Sequence, residues 1–205
     1  MTRSQAGELP VVGQRPAERA DAVRNRRKIL RAAARLLADG GVERLSLDDV
    51  AAAAEVGVGT VYRRFRDRTG LAIALLDERE KEFQQAFMSG PPPLGPGAPP
   101  ADRVRAFLHA LVDRVRDQFE LVLVAESAEP AIRYGEGAYP FRHFHLVTLL
   151  RETVPDRDVD YLAAALLAPL SASLLAHQIR DQGRDVESIR SGIDDLVELT
   201  LGGGS

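Results

Sequence analysis

A dense run of guanidinium groups, Arg63, Arg64 and Arg66, follows the segment Gly57-Val58-Gly59-Thr60-Val61-Tyr62. Arginine can hold guanine O6 and N7 with two parallel hydrogen bonds, and it pairs equally well with phosphate. Helical spacing over 58–65 puts Val58, Val61 and Phe65 on one face, turned inward, and Thr60, Arg63 and Arg64 on the other. Gly57 and Gly59 remove side chains where backbone N–H groups could approach a phosphate. Tyr62 is expected at the edge of the inward face, its ring packed and its hydroxyl within reach of a phosphate. The chemistry on offer is duplex DNA recognition, with Arg63 the best candidate for reading a base.

A second chemistry is hinted at by His143-Phe144-His145, with Glu136 and Glu152 nearby. On a helix, residues two apart point about 200° apart, and 141–153 reads as helix, so the pair makes a poor metal site. A Ser-His-Asp order, a Gly-rich phosphate loop and an HExxH motif are all missing, and the chain has no cysteine. No catalytic residue, metal or cofactor is therefore expected.

The 205 residues carry 27 Lys+Arg against 30 Asp+Glu, a net charge of −3. That balance hides 13 basic against 8 acidic residues between 15 and 68, which suits a polyanionic partner for the N-terminal part. Hydrophobic residues make up 45% of the chain, which excludes overall disorder. The apolar stretch 161–176 falls short of the ~20 residues of a membrane span. A cytoplasmic protein without a membrane partner is expected.

Helical periodicity runs through nearly every segment, so the fold is expected to be all-α. Ile29, Ala33, Leu36 and Leu37 form one stripe, closed by Gly40-Gly41. Ser46 precedes a helix with acids in its first turn, Asp67 looks like an N-cap, and a long helix should run from there to Met88. Boundaries are set at 1–18 (a flexible arm), 19–88 (helix-turn-helix domain with its connecting helix), 89–101 (a Pro/Gly-rich, semi-extended loop), 102–201 (C-terminal domain) and 202–205 (a fraying tail). In the C-terminal domain, Val104, Leu108, Leu111, Val115, Phe119 and Val122 suggest one helix over 104–125. Residues 130–140 read as a loop, and 158–181 as one long helix kinked at Pro169. His109 is expected to face water, and His177, in line with Leu170 and Leu174, to be buried.

Arg27-x-Ile29-Leu30-x-Ala32-Ala33, Gly40-Gly41, Ser46-x-x-x-Val50-Ala51, Val56-Gly57-x-Gly59-Thr60-Val61-Tyr62-x-x-Phe65 and Arg68-x-x-Leu71 together resemble the TetR family of bacterial transcriptional repressors. The likeness covers roughly residues 20–75. It implies a homodimer with an N-terminal three-helix DNA-binding unit and a helical C-terminal domain that binds a small molecule. On that basis Arg27, Ser46, Gly57, Gly59, Thr60, Tyr62, Arg63, Arg64 and Arg68 are the DNA-binding candidates, with Ser46, Tyr62, Arg64 and Arg68 on phosphates. Two positions depart from the family pattern: Glu55 stands where a turn glycine is common, and Gly57 where a capping serine is common. If residue 55 needs φ > 0, glutamate there strains the turn.

The resemblance also implies that the last two helices pair with their copies, for which Leu166, Leu170, Leu174, Ile193, Leu196 and Val197 are candidates. A largely hydrophobic effector pocket is expected among Phe107, Leu111, Phe119, Tyr134, Tyr139, Phe141, Phe144, His145 and His177. The expected function is a ligand-responsive dimeric repressor on a palindromic operator. The rivals are a DNA-binding adaptor that answers to a protein partner, and a helical metal protein using His143 and His145.

Overall fold

The computed structural model describes residues 16–202, residue 136 excepted. Among the described residues the only regular elements are helices. The proposed arm at 1–18 therefore lies mostly outside them. At its inner end, residues 16–18 already belong to the first helix. Of the proposed tail, 203–205 lie outside too.

The N-terminal unit consists of α1 (Pro16–Gly40), a 3₁₀ turn (Val42–Arg44), α2 (Leu47–Ala53) and α3 (Val58–Phe65). Its core is built from Ile29, Ala33, Leu45, Val50, Ala51, Val61 and Phe65, joined by Leu71, Ala72 and Leu75 of α4 (Arg68–Ser89). Helix α2 starts because Ser46 Oγ accepts the Asp49 amide at 3.0 Å, and α4 because Asp67 Oδ1 accepts the Gly70 amide at 2.8 Å. Each cap supplies an acceptor to a first-turn N–H that has no partner within its helix.

The C-terminal domain contains α5 (Pro100–Asp117), α6 (Phe119–Glu126), α7 (Pro130–Gly135), α8 (Ala138–Thr153), α9 (Val159–Leu167), α10 (Ala172–Ala176) and α11 (Val186–Leu201). Its core gathers Phe83 and Phe87 of α4 with Phe107, Leu108, Leu111, Leu146, Leu150, Leu166, Leu175 and Val197. Helix α11 lies on α5, where Arg190 meets Asp113 at 2.5 Å and Arg105 meets Asp194 at 3.0 Å. His109 turns into this seam, half-buried with Nε2 2.9 Å from Asp194, rather than out to water.

Several expected elements are divided or moved. The apolar stripe 104–125 is real, but the helix breaks at Gln118 (φ −130°), so α5 and α6 are separate and can face different partners. The 89–101 segment is not semi-extended: it folds into turns, packs Leu94 on the core, and buries Gly95 where a Cβ would meet the Gly90 carbonyl oxygen. The expected 130–140 loop holds α7 and the start of α8, with Pro140 in a first turn, where its missing N–H costs nothing.

Pro169 does more than kink its helix. It lacks the N–H that would continue α9, so residues 168–170 tighten into a 3₁₀ turn and Ser171 restarts the chain as the cap of α10. The fresh N-terminus is occupied at once, because Glu126 of α6 accepts the Ala172 amide at 2.7 Å and the Ser173 amide at 3.2 Å. Residues 159–181 pass a length-and-hydropathy test for crossing a membrane. This break interrupts them, however, and Leu166, Leu170, Ala172 and Leu175 lie in the protein core.

Candidate functional site

Helix α3 is anchored from below by Val61 and Phe65, both buried. Its outer surface carries Val58, 44% exposed, and Tyr62, 47% exposed, with Gly59, Arg63 and Arg66 also exposed. Positions 58, 59, 62, 63 and 66 follow one another along a single helical stripe. Val58 thus faces outward and not into the core as its spacing suggested. On α3 only Val61 and Phe65 are buried in the core. Tyr62 likewise stands on the outer stripe. Gly59 opens onto free space, Gly57 has only Thr60 Oγ1 nearby at 3.9 Å, and Thr60 is half-buried.

The arginines divide. Among the described residues Arg63 forms no ion pair or side-chain hydrogen bond, so its five donors are available. Arg64 instead donates Nη1 to the Ala22 carbonyl on α1 at 2.6 Å, tying α3 to α1. Arg68, half-buried, donates Nη2 to the Val42 carbonyl at 2.5 Å. In this conformation Arg64 and Arg68 are structural ties, although Arg68 shares a surface groove with Ser46 and Tyr62. Arg27 is exposed on α1. Arg66, at the end of α3 with φ 66°, and Val58 join the candidate surface; only their place in the 57–68 run pointed to them.

The turn between α2 and α3 carries the strain that the sequence raised. Glu55 adopts φ 48°, and its carboxylate meets Lys28 of α1 at 3.2 Å. Gly57 is the N-cap of α3 in extended geometry without a side-chain cap.

A cavity of about 490 Å³ lies in the C-terminal domain, walled by α4, α5, α6, α7, α8, α9 and the 168–171 turn. Of the expected lining residues, Leu111, Tyr134 and Tyr139 face it. Phe107, Phe141 and His145 are elsewhere, packed with Phe83 and Phe87 into an aromatic cluster. There the His145 ring lies 4.3 Å from Phe87 and 4.9 Å from Phe107. Burial lowers the His145 pKa to about 4, with help from the Arg103 charge. Phe119 is in the core beneath Arg180, and Phe144 points outward, 64% exposed. His177 is exposed, its Nδ1 2.8 Å from Asp181 and its Nε2 3.2 Å from Gln182, because the chain loosens into a π-turn there. The helical stripe that suggested burial ends before it.

Among the lining residues that sequence reasoning missed, those on α4 and α6 link the cavity to the N-terminal unit. Ile73, Leu76 and Asp77 of α4, and Val122, Ala125 and Glu126 of α6, line the cavity. On its other side α6 inserts Leu121 into the core of the N-terminal unit, and Ser127 Oγ is 3.1 Å from Thr69 at the start of α4. Behind the cavity Glu80, 3% exposed, is held by Arg142 through two bonds, Nε–Oε1 3.0 Å and Nη2–Oε2 2.5 Å, and by Arg114 at 3.1 Å. Burial pulls the Arg114 pKa down against this pairing. This triad locks α4 to α5 and α8.

The dimer candidates also divide. Leu166, Leu170, Ile193 and Val197 are buried within the chain and do not face a second copy, because α9 packs on α8 and α11, and α11 packs on α5. Leu174 and Leu196 are exposed, together with Phe144, Tyr161 (72%) and Leu199 (75%). His143 and His145 part: His143 Nε2 meets the Asp160 carbonyl at 2.9 Å, while His145 sits in the aromatic cluster. No group of three or more His, Cys, Asp or Glu arranged to hold a metal occurs among the described residues.

A capped α2, a tight turn and a core-anchored α3 with a cationic outer stripe define a helix-turn-helix DNA-binding unit, here carried on an all-helical domain with an internal cavity. Residues 29–75 match the family model described as bacterial regulatory proteins, tetR family. An HTH-type transcriptional regulator of Staphylococcus aureus (strain bovine RF122 / ET3-1) is 25% identical over 173 residues, 84% of this chain and 92% of that protein. A TetR transcriptional regulator from Rhodococcus sp. RHA1 superposes with a TM-score of 0.65 at 21% identity, covering 90% of this chain and 99% of that one. Thermus thermophilus FadR, a TetR-family transcriptional repressor solved with lauroyl-CoA, gives 0.66 at 19% identity, covering 88% and 95%. Residues 29–75 are thus similar to the DNA-binding segment of the tetR family, and the whole chain shares the fold of TetR-type regulators.

Proposed function

We propose that this chain is a ligand-responsive repressor that binds a palindromic operator as a homodimer in the bacterial cytoplasm. The observation that carries the DNA assignment is the exposed α3 stripe Val58, Gly59, Tyr62, Arg63 and Arg66 above a buried Val61–Phe65 anchor. Arg63 reads a base edge, Val58 offers an apolar contact to a thymine methyl, and Tyr62 and Ser46 set the register on phosphates. Two copies present their α3 helices about 34–36 Å apart, or a multiple of that distance. The exposed Phe144, Tyr161, Leu174, Leu196 and Leu199 supply the apolar surface for pairing.

Ligand response rests on the shared walls. Helices α4 and α6 both line the cavity and both reach the N-terminal core, so an effector that fits one arrangement of them better shifts the spacing of the two heads. A small, largely apolar effector suits a cavity lined by Ile73, Leu76, Leu111, Val115, Val122 and Leu167. Footprinting on duplexes that tile the upstream region tests the reading. Protection of two half-sites about one helical turn apart, with two chains per site in sedimentation, is expected; a one-half-site footprint by a single chain contradicts it.

A further inference from the structure

The polar groups of the cavity are mostly spoken for. Arg142 is held by Glu80 through Nε and Nη2, one edge of its guanidinium. Arg133 pairs with Glu126 at 3.2 Å and lies over the Tyr134 ring at 5.2 Å. Glu126 is spent on Arg133 and on the α10 amides. Asp77 is different. It lines the cavity, is half-buried, and makes no hydrogen bond or ion pair among the described residues. Burial pushes its carboxyl above the usual range, Arg26 and Lys81 pull it down from a distance, and Glu80 and Glu78 add to the rise. A carboxylate withdrawn from water without a partner costs stability unless something compensates its charge.

The surroundings of Asp77 fit such a compensating group. Gly137, at φ +68°, turns the chain between α7 and α8 beside Asp77 Oδ1, in a backbone conformation that favours glycine. Tyr134 and Tyr139 stand edge to face, 4.9 Å apart, on the same wall, and ring faces attract cations. The remaining wall is apolar, supplied by Ile73, Leu76, Leu111 and Leu167.

We propose that the effector is a lipophilic cation, an amine or quaternary ammonium whose charged nitrogen sits against Asp77 and Tyr139 while its hydrocarbon body fills the apolar wall. The proposal rests on the reading of this cavity as the effector site. Its charge sign is opposite to that of the acyl-CoA bound by the Thermus thermophilus structural neighbour, whose likeness to this chain is one of fold.

Calorimetry on the full chain with decyltrimethylammonium, decyl sulfate and uncharged decanol, all kept below micellisation, tests it. The ammonium should bind with one molecule per chain and more tightly than either matched-chain probe. Asp77→Asn should weaken the ammonium about tenfold and leave decanol unchanged, while Asp77→Glu should restore much of the loss. Ala164→Trp, which fills the cavity, should remove all binding. Sulfate binding tighter than ammonium, or ammonium binding indifferent to Asp77→Asn, overturns the cation. Binding of all three probes that survives Ala164→Trp in a folded variant shows instead that the cavity is not the site, and the effector-site reading falls with it.

Discussion

Glu80 is the charge on which the C-terminal domain is most exposed to a single change. Glu80 is 3% exposed, and its carboxylate serves two arginines, with two hydrogen bonds from Arg142 at 3.0 and 2.5 Å and an ion pair with Arg114 at 3.1 Å. Glu80→Gln keeps the shape and removes the charge, leaving Arg142 and Arg114 facing each other across a buried site. Arg114 is already disfavoured as a cation by its burial, so repulsion adds to lost attraction. Removing one partner of a buried ion pair costs about 3–5 kcal/mol. For a chain of this length, each kcal/mol lowers Tm by about 2–4 °C, so a fall of roughly 6–20 °C is expected. The discriminating control is Arg114→Met/Arg142→Met, in which the same Glu80→Gln change should cost about 1 kcal/mol or less, because no orphaned cation remains. Urea titration followed by circular dichroism reads both. A loss below about 1 kcal/mol in the wild-type background, or an equal loss in both backgrounds, would refute the idea that the triad holds α4 in place.

Three further outcomes follow from the same geometry. Glu55→Gly relieves a left-handed residue at φ 48°, which costs about 1–2 kcal/mol for a non-glycine, and returns part of that to chain entropy. A gain of up to about 1 kcal/mol in chemical denaturation is expected, and a loss would show the Lys28 contact to matter more than the strain. His145 is neutral in the fold down to about pH 4 and titrates near 6.5 when unfolded, so the unfolded chain binds the extra proton. Stability should therefore fall as pH drops from about 6.5 to 4, by at most about 3 kcal/mol, and His145→Phe should flatten that part of the profile. Phe65→Ala, which removes the anchor of α3, should cost about 3–5 kcal/mol by denaturant titration; an effect under 1 kcal/mol would mean α3 is not held from below.

The DNA-binding unit was the most legible part of the chain, because its information is local. Caps at Ser46 and Asp67, glycines at the turn and the Val61–Phe65 anchor all act within a few residues of themselves. Even the strain at Glu55 could be anticipated from which residue type stands in the turn. Less legible was the outer boundary: spacing alone does not say whether Val58 is covered, and the commitment of Arg64 and Arg68 to carbonyls of Ala22 and Val42 depends on packing 42 and 26 residues away. The C-terminal domain was less legible for the same reason. Its aromatic residues are periodic, but periodicity cannot separate the wall of a cavity from the core behind it, so Phe107, Phe141 and His145 were indistinguishable from Tyr139. The break at Pro169 was foreseen as a kink, yet its use, a new helix start that receives Glu126, needed the fold. Asp77 and Glu80 share one face of α4 as ordinary polar residues; only the approach of α5 and α8 separates a triad member from an unmatched charge.

The central claim is tested most directly by fluorescence anisotropy of the full chain on duplexes from its own upstream region over a salt series, wild type beside Arg63→Ala. Tight binding to one duplex should weaken linearly on a log–log plot against salt. Arg63→Ala should cost about 1–3 kcal/mol on that duplex and relax the preference at one symmetric pair of base positions. Salt-independent binding, or an Arg63→Ala protein with unchanged affinity and sequence preference, would contradict the assignment of the α3 stripe as the DNA-reading surface.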